Sequence, residues 1–273
     1  MKFLAKILRW FLNGFLKIFG DIKVFRWPFF VIYDPGSYRV KGTDIREVLG
    51  LMRPGDILLR GYGHYLDGYF IPGYFSHAGL YLGQVLAEDK KFVTSERGQK
   101  LFRSGEQIVA HAMAEGVFME DIIDFCRCDF MVVLRFPQIL SRRDGKSAGS
   151  NIEHLTEAET KIVATLSQGK SVDFAQAFRT FFELALSQVG KPYDFQFNFS
   201  NFNNLSCTEF VYYCYKSLEP YHRLGPARKR YLIFDKVVLT PDAFVDRAFE
   251  LVWQSRSVDT KRLEKLKEER SRI

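Results

Sequence analysis

Short apolar runs separated by glycine and proline turns occupy residues 50 to 137, and capped helical segments follow them. Strands first and helices later direct this chain towards an α+β domain built on an antiparallel sheet. The first run, "LMRPGDILLRG", is a turn at Pro54, Gly55 and Asp56 feeding an apolar strand. "SHAGLYLGQ" gives a second strand, "EQIVAHAMAEGV" a third, and "DFMVVLRFP" a fourth that Pro137 ends. After the polar linker "SRRDGKSAGSN", Thr156 and Glu159 form a T-x-x-E capping box that opens one helix. Asp173 opens a longer one, ended by Gly190 and Pro192.

The 273 residues, 47% of them apolar, suffice for one large domain with appendages, and no internal repeat or phosphate-binding glycine loop interrupts them. We divide the chain into an N-terminal segment, 1–40, a main domain, 41–250, and a charged C-terminal helix, 251–273. The 27 phenylalanines and 13 tyrosines fit a thick core, a lipid-facing surface or an apolar ligand pocket.

A net charge of +7 raises nucleic acid and anionic membrane as partners, so the location of the charge decides between them. In "MKFLAKILRWFLNGFLKIFG", Lys2, Lys6, Arg9, Asn13 and Lys17 recur every three or four residues, along one helical face. Phe3, Leu4, Ile7, Leu8, Phe11, Phe15 and Ile18 surround that stripe, a pattern expected of a helix lying in a membrane interface. Charges at every turn rule out a spanning segment of roughly 20 apolar residues. No A-x-A cleavage site follows, although an uncleaved signal anchor and a helix docked on its own domain remain alternatives. The expectation is peripheral attachment at the cytoplasmic face, with no nucleic-acid partner. The C-terminal "DTKRLEKLKEERSRI" mixes both signs at helical spacing, as a solvated helix does.

Four cysteines in so long a chain are expected to be free thiols. Cys126 and Cys128 form C-x-C without a second Cys/His pair, which argues for burial rather than metal binding, and nothing asks for a cofactor. Cys207 differs from these. Ser206 and Glu209 make a second capping box in "NNLSCTEFVYYCYKSL", placing Cys207 at the first helical position. Unpaired N–H groups and the positive end of the helix dipole are expected to favour its thiolate, and to hold an oxyanion nearby. Cys214, two turns on among aromatic neighbours, serves as the comparison: a plain buried thiol.

A thiol nucleophile needs a base, usually histidine, and a group to orient it. His154 in the linker and His222 after Pro220 are expected to be solvated. His64 lies in the loop "RGYGHYLDGYF", suited to lining a substrate channel. His77 stands at the mouth of the strand "SHAGLYLG", a rigid mount, and His111 in "IVAHAM" would orient it if both share one face of adjacent strands. Tyr65, Tyr74 and Tyr193 join His64 as candidate substrate-lining residues.

The ordered motifs "RPGDILL", "SHAGLYLG", "GKPYDFQF", "CTEF" and "LTPDAF" resemble those of the YiiX/YebB-like permuted papain-like amidases of the NlpC superfamily, over residues 50 to 247. The resemblance implies a circularly permuted papain-like fold in which the histidine strand precedes the cysteine helix, a plan shared with lecithin retinol acyltransferase. It assigns the nucleophile to Cys207 and the base to His77. The third position is often glutamate in YiiX-like proteins; here His111 takes it, as in the acyltransferase branch. It also implies cleavage of a peptide or acyl amide. The greasy N-terminus adds a lipid or lipidated substrate; a lipid or protein acyltransferase or thioesterase using the same triad is the second reading, and a catalytically silent membrane-binding module the third.

Overall fold

The computed structural model describes residues 22–24, 31–33, 38–63, 73–143, 155–197, 199, 202–231 and 234–271. The basic N-terminal stripe, the loop with His64 and Tyr65, and His154 lie outside the described residues.

In chain order the elements are β1 (Ile22–Val24), β2 (Val31–Tyr33), α1 (Gly42–Leu51), β3 (Ile57–Gly61), β4 (His77–Val85), α2 (Glu96–Leu101), β5 (Gly105–Met113) and β6 (Gly116–Asp121). Then come α3 (Ile122–Phe125), β7 (Phe130–Arg135), β8 (Ile139–Leu140), α4 (Glu157–Ser167), β9 (Val172–Asp173) and α5 (Phe174–Gln188). The last are α6 (Cys207–Tyr215), α7 (Glu219–His222), β10 (Ala227–Tyr231), β11 (Phe234–Val238), β12 (Glu250–Gln254) and α8 (Thr260–Ser271). Six strands form the central sheet in the order β12-β7-β3-β4-β5-β6, and every neighbouring pair is antiparallel. The expected α+β class and antiparallel sheet are therefore present.

Both faces of this sheet are covered, which explains why β3 and β7 read as continuous apolar runs rather than alternating ones. Ile57, Leu59, Ala78, Leu80, Ala110 and Val132 face α5 and α6, meeting Phe181, Ala185, Phe210 and Val211. The residues between them, Leu58, Tyr81, Val109, Met131 and Val133, pack with Val48 of α1, Phe125 of α3 and Trp253 of β12. Each fully buried aliphatic side chain stabilises the fold by roughly 2 kcal/mol relative to exposure. Asp56 of the "PGD" turn is 1% exposed and accepts from Nε and an Nη of Arg135, both at 2.7 Å, fastening the start of β3 to β7.

The helix starts follow their local signals. Thr156 and Glu159 cap α4 reciprocally, and Asp173 accepts from Gln176 N–H to open α5. Two expectations change. The run "EQIVAHAMAEGV" is two strands, because Gly116 adopts φ +100° after a two-residue turn and starts β6. A Cβ on Gly116 would lie 2.2 Å from the Lys191 carbonyl oxygen, so only glycine permits that approach. Residues 250–254, four of them placed in the C-terminal helix on sequence, are a strand that extends the sheet beside β7. The helix itself starts at Thr260 and buries Leu263 in the core.

Candidate active site

Cys207 is the first residue of α6, and the capping box read from sequence is present. Glu209 Oε2 accepts from Ser206 N–H at 2.8 Å, and Ser206 Oγ accepts from Glu209 N–H at 3.4 Å. Thr208 donates its hydroxyl to the Leu239 carbonyl at 2.7 Å, fixing the rotation of this first turn. The N–H groups of Ala78 and Thr208 lie near enough to the sulfur to favour its charged form.

These N–H groups favour the thiolate as expected, and the Arg60 charge assists them. Burial outweighs both and pushes the Cys207 thiol up to about 11, so the expected resting thiolate is corrected to a thiol. Desolvation of a fully enclosed sulfur exceeds what two backbone dipoles and a helix terminus return. Cys214 is raised further by burial. Cys126, Cys128, Cys207 and Cys214 are all free and buried.

His77 opens β4, immediately after a loop that Asp242 holds. The two carboxylate oxygens of Asp242 accept from Tyr74 N–H at 2.7 Å and Phe75 N–H at 2.8 Å. Pairing of Gly79 with His111 sets β5 beside β4, so His77 and His111 project from the same face as diagonal neighbours. His77 Nε2 lies 2.8 Å from His111 Nδ1, with the rings nearly perpendicular at 87°. Phe125 packs against both rings. It comes that close because Gly79 lacks a Cβ, which would stand 2.7 Å from the Phe125 ring. Burial, the Arg60 charge and His111 hold His77 well below the usual histidine range, and burial does the same for His111 against the pull of Glu120. Both rings are neutral at pH 7.

The two sequence-predicted histidines are thus brought into contact. Cys207 approaches the same strand end from the α6 side, with its sulfur near the N–H of Ala78, the residue after His77. Among the described residues no direct hydrogen bond joins the sulfur to the His77 ring. The β4–β5 ladder begins at Gly79, so its recorded pairing leaves out Ala78.

Sequence reasoning missed two members of this neighbourhood. Glu120 of β6 lies 2.9 Å from His111 Nε2 through Oε1, with the ring N–H bent off that line. Arg60 of β3, 3% exposed, donates to the Phe125 carbonyl at 2.7 Å and stands 3.6 Å from the same Glu120 oxygen. Glu120 lies three residues beyond the run read as the third strand, and becomes visible as a diagonal neighbour of His111 only once the Gly116 turn is recognised as the start of β6.

Of the remaining candidates, Tyr74 stacks on Phe130 with centroids 4.5 Å apart, and its oxygen accepts from Asp259 N–H at 2.6 Å. Tyr193 packs against Phe195 and Phe197. Phe197 and Phe199 take left-handed backbone, φ 52° and 51°, and Glu209 accepts from Phe199 N–H. His222, expected to be solvated, is 2% exposed and bonded at both ring nitrogens, to Tyr215 O and Leu224 N. Short α7 follows α6 into the core and carries the ring with it. Among the described residues no cluster of three metal-ligating side chains forms.

Comparison with known proteins gives one family match: the family described as permuted papain-like amidase enzyme, YaeF/YiiX, C92 family, is similar to residues 51–266 of this chain. No curated protein and no solved structure matches it.

Proposed function

The chain belongs to the permuted papain-like amidase family, a family of cysteine amidases and peptidases, and on that premise we propose that Cys207, His77 and His111 form its catalytic triad. The observation that carries this reading is the His77–His111 contact of 2.8 Å at the strand end where the Cys207 sulfur meets the Ala78 N–H. The order of histidine strand before cysteine helix agrees with a permuted papain plan.

A neutral thiol and a neutral imidazole call for general-base catalysis rather than a stored ion pair. Cys207 Sγ attacks the substrate carbonyl carbon while His77 takes the thiol proton. The new C–S bond leaves a tetrahedral oxyanion, which the N–H groups at the start of α6 stabilise. The C–N bond then breaks as His77 returns its proton to the departing amine. Water, deprotonated by His77, attacks the thioester and regenerates the thiol. An acceptor amine or hydroxyl entering in place of water makes the same site an acyltransferase.

The substrate is an amide or acyl bond reached at a membrane surface. Support for the location is the basic, apolar sequence of residues 2–18. No helix among the described residues is long and apolar enough to cross a membrane. The test is intact-mass analysis after incubation with a membrane extract: wild type gains the mass of an acyl group and Cys207→Ala does not. A protein unmodified under every condition, or an adduct retained in Cys207→Ala, overturns the thiol mechanism.

A further inference from the structure

Four polar side chains cross the central sheet in a diagonal row, one from each of four adjacent strands: Arg60 of β3, His77 of β4, His111 of β5 and Glu120 of β6. Registers place them on one face. Arg60 is paired with His77, Gly79 with His111, and His111 with Phe118, two residues before Glu120. Apolar walls surround the row: Phe125 lies beneath Arg60 and both rings, and Phe118 packs on His111 at 4.3 Å.

We propose that Glu120, held by Arg60, is a positioning residue that locks the tautomers of His111 and His77 so that His77 presents an unprotonated Nδ1 to the reaction. The inference rests on the triad reading above, and follows from donor and acceptor chemistry alone. A carboxylate only accepts, so the proton of neutral His111 sits on Nε2, 2.9 Å from Glu120 Oε1. His111 Nδ1 is then an acceptor, and the 2.8 Å contact requires a proton on His77 Nε2. His77 carries its second nitrogen, Nδ1, as a free base. Without the carboxylate, His111 is free to protonate Nδ1 instead, donate to His77 Nε2 and transfer the His77 proton to Nδ1. The base would then be blocked at the nitrogen that must receive the thiol proton.

Arg60 keeps Glu120 ionised inside the fold. Burial opposes ionisation, but the His111 Nε2 edge 2.9 Å away and the charges of Arg60 and Arg103 hold the carboxyl below the usual range. Arg60 also donates to the Phe125 carbonyl, which ties α3, and with it the ring beneath both histidines, to the same guanidinium.

The test is histidine 15N NMR on the full chain with a parallel measurement of kcat/KM on an amide or ester probe. In wild type both rings should show the Nε2–H tautomer. Glu120→Gln, whose amide can donate as well as accept, should shift His111 and His77 towards Nδ1–H and lower kcat/KM ten- to a hundredfold. Glu120→Asp, which restores an acceptor-only group, should recover part of both. Wild-type rings protonated on Nδ1, or a Glu120→Gln protein with unchanged tautomers and unchanged kcat/KM, would overturn the lock. An active Cys207→Ala would sink the thiol mechanism instead and leave the tautomer result to stand or fall separately. Should Glu120→Gln fail to fold, the wild-type tautomers still decide.

Discussion

The Thr208 hydroxyl reaches the Leu239 carbonyl across 2.7 Å, three residues before Asp242. One short segment of the "LTPDAF" motif therefore grips the first turn of the cysteine helix at one end and, through Asp242, the loop leading into His77 at the other. The thiol and the histidine strand are positioned by a third element, although more than a hundred residues separate them in the chain.

Asp242→Ala should impair catalysis beyond its effect on stability. Two N–H groups lose their acceptor, at a cost of about 1–3 kcal/mol each where water cannot replace it. His77 loses the anchor ahead of its strand, and a shift of about 1 Å in a reacting group can lower a rate on the order of 100-fold. Iodoacetamide labelling of Cys207 should change less, because Thr208 still holds α6. A variant with lowered Tm but wild-type kcat would mean that the segment supports only the fold.

Alkylation of Cys207 should rise with pH. A thiol pushed up to about 11 is a minor thiolate at neutrality, so the rate increases roughly tenfold per unit from pH 7 to 9. Cys214, buried without N–H groups aimed at its sulfur, should lag throughout. A rate for Cys207 that is flat between pH 5 and 8 would reveal a stored thiolate–imidazolium pair and contradict general-base attack.

Acid should weaken the fold through His222. Its neutral ring is satisfied on both sides, Nε2 donating to Tyr215 O and Nδ1 accepting from Leu224 N–H, and burial lowers its pKa to about 4. The unfolded chain takes up this proton from about pH 6.5 downwards and the folded one does not, so stability falls as pH drops from 6.5 to 4. The full loss is on the order of 3 kcal/mol, from about 1.36 kcal/mol per pKa unit. Glu209 works in the opposite sense. Burial and the charge of Asp194 raise it to about 7, against the hydrogen bonds it accepts, so its contribution grows as pH falls from 7 towards 4.5. Urea unfolding at pH 7 and 5 should therefore show a smaller acid loss in His222→Gln than in wild type. Equal losses would place the acid sensitivity elsewhere.

What the sequence made legible was local. The capping boxes at Thr156 and Ser206 involve partners three residues apart, and both formed as read. The sheet strands carried enough β-branched and aliphatic residues to be recognised, but a two-residue turn at 114–115 hid β6, and with it Glu120. Strand β12 escaped because its pairing with β7 joins residues more than a hundred positions apart. The state of the Cys207 thiol was misread for a related reason. Helix capping is visible in sequence, whereas the burial that outweighs it depends on strands arriving from elsewhere.

The buried pair of Lys216 and Glu159 should reveal its energetics only through a double-mutant cycle. Both side chains are 1% exposed or less, the ammonium lies 2.5 Å from Glu159 Oε1 and 4.1 Å from the Tyr213 ring, and Glu159 Oε2 also caps α4 by accepting from Thr156 N–H. Removing one charge leaves the other without its partner in a low-dielectric interior, so Glu159→Gln should cost about 3–5 kcal/mol. Lys216→Met should cost less than that, because Glu159 retains the Thr156 donor. The double variant Glu159→Gln/Lys216→Met should be more stable than Glu159→Gln alone, since no isolated ammonium remains. Additive losses in chemical denaturation would show that the two charges are solvated independently and that the contact contributes nothing to joining α4 to the end of α6.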